Sequence, residues 1–185
     1  MRLHGFVMAG VLMVLSPLLA QGGQSPYAGQ EQRDIKALSG DDIQALLDGQ
    51  GLGLAKAAEL NQYPGPKHVL ELASPLQLSE EQHVETQRIY DAMHAEAVHL
   101  GALILDKERG LDNLFSSRSM TSQQLQNLGR EIARLQGELR IVHLQAHLEM
   151  ARVLTPAQMD KYNELRGYQA GGLVMPHDGG QHGNQ

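Results

Sequence analysis

Leu78-Ser79-Glu80-Glu81-Gln82 and Leu154-Thr155-Pro156-Ala157-Gln158 carry the same local signal twice: an apolar residue, then a hydroxyl, then a glutamine three positions after the hydroxyl. An N-cap Ser or Thr accepts the backbone N–H of the third helical residue, and that residue's side chain reaches back to the cap N–H. Both stretches therefore predict helix starts, with Ser79, Gln82, Thr155 and Gln158 as structural caps. Pro156 takes the first helical position, where its missing N–H is no loss. Met120-Thr121-Ser122-Gln123-Gln124 is a weaker third copy between the two.

Working outward, two long helices are predicted between these starts. The first runs from Ser79 to Arg109 or Phe115, with Ile89, Met93, Ala97, Leu100, Ile104, Leu111 and Leu114 as its apolar positions. In the second, Leu125, Leu128, Ile132, Leu135, Leu139, Val142 and Ala146 advance in steps of three and four, the seam that a partner helix covers. A turn at Ser116-Ser117-Arg118-Ser119 makes the two antiparallel neighbours. A last helix from Thr155 carries Met159, Tyr162 and Leu165 before Gly167.

Upstream, Ser39-Gly40-Asp41-Asp42 opens a short helix, its acids placed where the helix dipole favours them, that ends near Gly49 to Gly51. A second starts at about Leu52 and is halted by Tyr63-Pro64-Gly65-Pro66; a third begins at or after Pro66 and ends by Pro75. No strand-like alternation and no Asn-Gly hairpin signal occurs. The fold expected is all-α, a long antiparallel helical hairpin with additional short helices.

Arg2, the apolar run Leu3 to Leu15 and the stretch to Ala20 match a secretory signal peptide over residues 1–20. Leu18 is bulkier than the usual residue before a cleavage site, which leaves an uncleaved anchor as the alternative. Residues 21–38 read as a flexible leader, 39–75 as a short-helix section, 76–167 as the main helical domain, and 168–185 as a disordered Gly/His tail. The 185 residues include no cysteine, so neither a disulfide framework nor a lipidated cysteine is available. Without Arg2 the chain has 14 basic against 21 acidic residues, a formal charge of −7, and it has no Trp. That balance argues against nucleic acid as a partner. No nucleophile elbow, phosphate loop or cysteine nucleophile is present, so no enzyme is expected.

The paired Leu-Ser/Thr-x-x-Gln starts, on an exported, cysteine-free helical chain, resemble the LTxxQ pattern of the Spy/CpxP family of periplasmic proteins. The heavy-metal-resistance and sensor relatives of the CnrX and ZraP kind share that fold. The resemblance covers Leu78 to Gly167; the segment Ala58-Glu59-Leu60-Asn61-Gln62-Tyr63-Pro64-Gly65-Pro66 lies outside it. It implies a periplasmic location, a homodimer, and one of three non-enzymatic roles. These are binding unfolded envelope proteins, restraining a sensor kinase through its periplasmic domain, or binding a transition metal.

His143 and His147 are the residues that bear on that choice. Four apart on a helix, they share a face and can reach one ion. Met150 follows on nearly the same face, and a turn centred near residue 117 brings His94 and Asp91 within a turn of His143. Such an N, O, S set suits zinc, nickel or copper. The plainer reading has both histidines lining the edge of the apolar seam. His99 faces another surface, and His177 and His182 lie in the tail.

A second candidate function needs no ligand: a concave surface with Met93, Met120, Met150 and Met159 that holds exposed apolar segments of other proteins, although such stripes ordinarily form core. The basic residues Lys107, Arg109, Arg118, Arg130, Arg134 and Arg140 suit either an acidic sensor domain or a solvated flank with Glu131 and Glu138 interspersed. The expectation is an exported envelope-stress or metal-homeostasis protein, a heavy-metal sensor or buffer before an ATP-independent chaperone.

Overall fold

A computed structural model describes residues 25–168. The signal peptide expected over 1–20, and the tail histidines His177 and His182, lie outside the described residues. The chain divides into two compact units, Met1–Glu31 and Gln32–Gln185. In the first, the described residues form tight turns, with Ala28 N–H donating to Ser25 O and Gln30 N–H to Tyr27 O, both at 3.0 Å.

The second unit contains six helices among its described residues and no strand: α1 Gly40–Leu47, α2 Lys56–Glu59, α3 Pro66–Glu71, α4 Glu80–Ser116, α5 Ser122–Val153 and α6 Pro156–Leu165. The all-α reading holds, and α4 and α5 pack together as the long hairpin. Complete capping boxes open α4 at Ser79, α5 at Thr121 and α6 at Thr155. A fourth, Ser39 with Asp42, opens α1.

The glutamines of the two strong motifs do more than cap. Gln82 Nε2 donates to Gln158 Oε1 at 2.8 Å, and Gln158 Nε2 donates back to Gln82 Oε1 at 2.9 Å. Gln82 also donates to Val153 O, and Gln158 to Leu76 O. The motif thereby ties the starts of α4 and α6 to each other, which explains an amide where a carboxylate would serve a cap equally well. Gln82→Glu leaves the cap but removes both donated bonds, so we expect a loss of about 2 kcal/mol in urea unfolding; an unchanged midpoint would show the amide pair to be idle.

Two clusters form the core. One joins Ile35 and Leu46 to Ala97, Leu100, Ile104 and Leu105 of α4 and Leu135 and Leu139 of α5. The other joins Val69, Leu76 and Tyr162 to Ile89 of α4 and Ala146, Met150 and Leu154 at the end of α5 and beyond it. The packed unit begins ahead of the Ser39 start expected from the sequence. Ile35 is fully buried, while Lys36 pairs with Asp112 at 2.9 Å and Arg109 with Asp34 at 3.2 Å. An isolated Ile in a polar stretch carries no periodic signal, so residues 32–38 read as leader. At the other end Tyr168, placed in the tail by its sequence, packs against the second cluster. The hairpin tip projects past the core, leaving Leu125 exposed although it follows the helical pattern, and Phe115 exposed as well.

Candidate functional site

Between the two clusters the apolar core is interrupted. The α5 positions facing the N-terminal section at this level are His143 and His147, and the loops on either side of α2 close over them. They leave a cleft of about 400 Å³ lined by Gly51, Lys56, Glu59, Gly65, Lys67, His94, His143, His147 and Arg166, among others. The neighbours that set the hairpin register are Arg88 with Glu149, 3.6 Å apart, and Gln82 with Val153. This register carries His143 past Asp91 towards His94.

His143 is only 4% exposed, and its Nε2 is buried with no hydrogen-bond partner. Burial, and secondarily the nearby His147, push its pKa below the ordinary imidazole value. The ring is therefore neutral at pH 7, with one nitrogen as an unused lone pair or donor. His147 is also buried. Its Nδ1 lies 2.8 Å from Tyr63 O. A carbonyl oxygen only accepts, so Nδ1 carries the hydrogen and, in the neutral ring, the lone pair sits on Nε2.

Gly65 makes room for this ring: a Cβ there would stand 3.0 Å from His147 Cε1 and 3.2 Å from Nε2. Gly51 faces His143 in the same way at 3.7 Å, an ordinary contact distance. The Tyr63-Pro64-Gly65-Pro66 segment thus stops α2, starts α3 and shapes one wall of the site.

Behind His147, Glu59 anchors the wall. Its Oε1 accepts from Tyr162 Oη at 2.7 Å, Tyr168 Oη at 3.1 Å and Arg166 Nε at 3.3 Å, while Oε2 stands 3.7 Å from His147 Nδ1. Burial and then the bond to Glu59 raise the Tyr162 pKa far beyond its ordinary value, so its hydroxyl remains a donor. The same hydroxyl accepts from Gly65 N–H at 3.3 Å.

The other residues expected at a metal site fare differently. His94 lines the cleft, but its Nε2 is taken by Asp48 O at 3.1 Å, capping the end of α1, and its ring stacks on Tyr90. Asp91 is exposed, accepts from Gln87 and does not line the cleft. Met150 is fully buried in the second core cluster rather than facing the cleft. His99 is exposed, on another surface as its spacing predicts. Among the described residues no three His, Cys, Asp or Glu side chains stand close enough to hold one ion together.

Glu59, Gly65, Tyr162 and Arg166 were not readable as site residues. Their one signal was the Glu59 to Pro66 segment, whose paired prolines around a glycine mark a fixed backbone without saying what it faces. Comparison with protein-family models, curated proteins and solved structures finds no match to the chain.

Proposed function

We propose that this is an exported, non-enzymatic protein of Spy/CpxP type that binds a transition-metal ion, zinc, nickel or copper, between His143 and His147 as an envelope metal sensor or buffer. The observation that carries the reading is the buried His143 Nε2 with no partner, one helical turn from a histidine whose Nδ1–H is already held by a carbonyl. A ligating imidazole must be neutral, and its second nitrogen is ordinarily fixed by a hydrogen bond that orients the ring. His147 meets the second condition through Tyr63 O, and burial keeps His143 neutral. Periplasmic location and a homodimer follow from the resemblance and belong to the same proposal.

Titration of the purified protein with zinc, nickel and copper, beside a His143→Ala/His147→Ala variant, tests it. The variant is expected to lose at least about tenfold in affinity; equal affinity in the two proteins sinks the site. Because protons compete for the imidazole lone pairs, affinity should also fall as pH drops through about 6.

A second reading, an ATP-independent chaperone or kinase-restraining protein, is favoured by one observation. Ile141 and Leu148, seven apart on the outer face of α5, are 64% and 44% exposed, with half-buried Leu144 between them. An apolar stripe at that spacing suits the apolar face of another chain. Suppression of aggregation of a denatured client without metal, lost in Ile141→Ser/Leu148→Ser, would support this role.

A further inference from the structure

Helix α5 is apolar on two sides, and the described residues cover only one of them. Its seam through Leu135, Leu139, Val142 and Ala146 packs into the two core clusters with α4. A second series, Gly137, Ile141, Leu144, Leu148 and Ala151, also advances in steps of four and three. At about 100° per residue it falls on the side of α5 opposite the α4 seam. Gly137, Ile141 and Leu148 are exposed, Leu144 and Ala151 are half-buried, and a Cβ on Gly137 would meet no heavy atom within 4 Å. A helix face left to solvent ordinarily carries charged and polar residues. An uncharged series with the coiled-coil repeat instead fits another helix.

The stripe is complementary to itself when run in the opposite direction. A two-fold axis crossing it between Leu144 and Leu148 sets Leu144 against Leu148 of a second copy, and Ile141 against the second copy's Ala151. The four layers that result are all apolar. The same axis brings one flank of the stripe against its own counterpart, so that Glu138 meets Arg152 of the second copy twice over. Glu138 is engaged by Arg134 through Oε1 alone, in a surface pair that leaves Oε2 available. Shifting the register by one heptad sets Leu148 against Gly137 and Arg134 against Ala151, which puts a void and a charge into the seam. Resting on the homodimer in the reading above, we propose that two copies pair through an antiparallel, two-fold contact of α5 on α5 centred between Leu144 and Leu148. His143 and His147 face the cleft and lie outside this contact, so pairing needs no metal.

Sedimentation velocity on the full chain, without metal, tests the pairing. Four layers make a small interface, at or below the ~1,200 Å² low end for specific complexes, so a dissociation constant of about 1–100 µM is expected. Ile141→Lys/Leu148→Lys should weaken the dimer at least about a hundredfold. Glu138→Arg, which opposes two arginines, should weaken it about tenfold, and Glu138→Arg/Arg152→Glu should return it to within about threefold of wild type. These side chains reach solvent, so the fold is expected to survive, as circular dichroism will show. A dimer that the lysine pair leaves intact, or a charge exchange that restores nothing, overturns the α5 pairing while the homodimer and metal readings stand. A wild-type chain that stays monomeric throughout and above that range overturns the pairing and the homodimer together, leaving the metal titration to be judged by itself.

Discussion

Gly101→Ala is expected to destabilise the protein by about 3 kcal/mol, at the upper end of what overpacking ordinarily costs. A Cβ on Gly101 would fall on the Leu46 carbonyl oxygen and 2.8 Å from its carbon. The obstacle is backbone, at the last turn of α1, and it cannot swing away as a side-chain end can. Nor can that turn relax freely: Gln50 N–H donates to Ala45 O at 2.8 Å and Gly49 N–H to Leu46 O at 3.3 Å, with Gly49 at φ +60°. Moving α1 outward would expose Ala45 and Leu46 and loosen the His94 bond to Asp48 O. Opposing this is only the helix-propensity gain of alanine over glycine, about 1 kcal/mol. Gly129→Ala and Gly137→Ala in α5, with no heavy atom within 4 Å of the added Cβ, should show that gain alone and raise stability by up to about 1 kcal/mol each. Urea midpoints at constant slope check all three, and a stabilising Gly101→Ala would mean that α1 does not sit on α4 as described.

The contrast among these glycines shows where sequence reading reaches and where it stops. Leu135, Leu139 and Ala146 announce their helix by spacing, because burial along one face repeats with the helical period. Ser79 and Thr155 announce helix starts, because a cap is satisfied within four residues. Nothing local separates Gly101 from Gly137, since the difference is a backbone arriving from more than fifty residues away. The site divides along the same line. The His143–His147 pair was legible because its geometry is set by one helix, whereas the inclusion of Asp91 and His94 depended on hairpin register, which a few residues of turn geometry shift. Met150 sits in the helical period of both the seam and the histidine pair; the apolar surroundings decided in favour of the seam. Glu59 could not be identified at all, because its partners Tyr162, Arg166 and Tyr168 lie about a hundred residues further along.

That long-range cluster carries the second large effect. Glu59→Ala is expected to cost about 3 kcal/mol, because it removes the acceptor of a fully buried tyrosine hydroxyl and of a partly buried guanidinium, leaving both short of partners in a place water reaches poorly. Glu59→Gln keeps an acceptor oxygen and should cost about 1 kcal/mol, the difference between a charged and a neutral acceptor. Combining Glu59→Ala with Tyr162→Phe separates this from a general loss of packing: with the hydroxyl gone the carboxylate has less to hold, so the two losses should fall short of additivity by about 1 kcal/mol or more. The damage should also spread to the site. Glu59 ends α2 directly before the Tyr63-Pro64-Gly65-Pro66 wall, and Tyr63 O is what fixes the tautomer of His147. Amides of residues 56–66 should therefore exchange faster in Glu59→Ala, and any metal affinity that the proposed His143–His147 site shows in wild type should drop about tenfold. Full additivity in the double-mutant cycle, with exchange over 56–66 unchanged, would show that Glu59 neither holds the wall nor orients the ring.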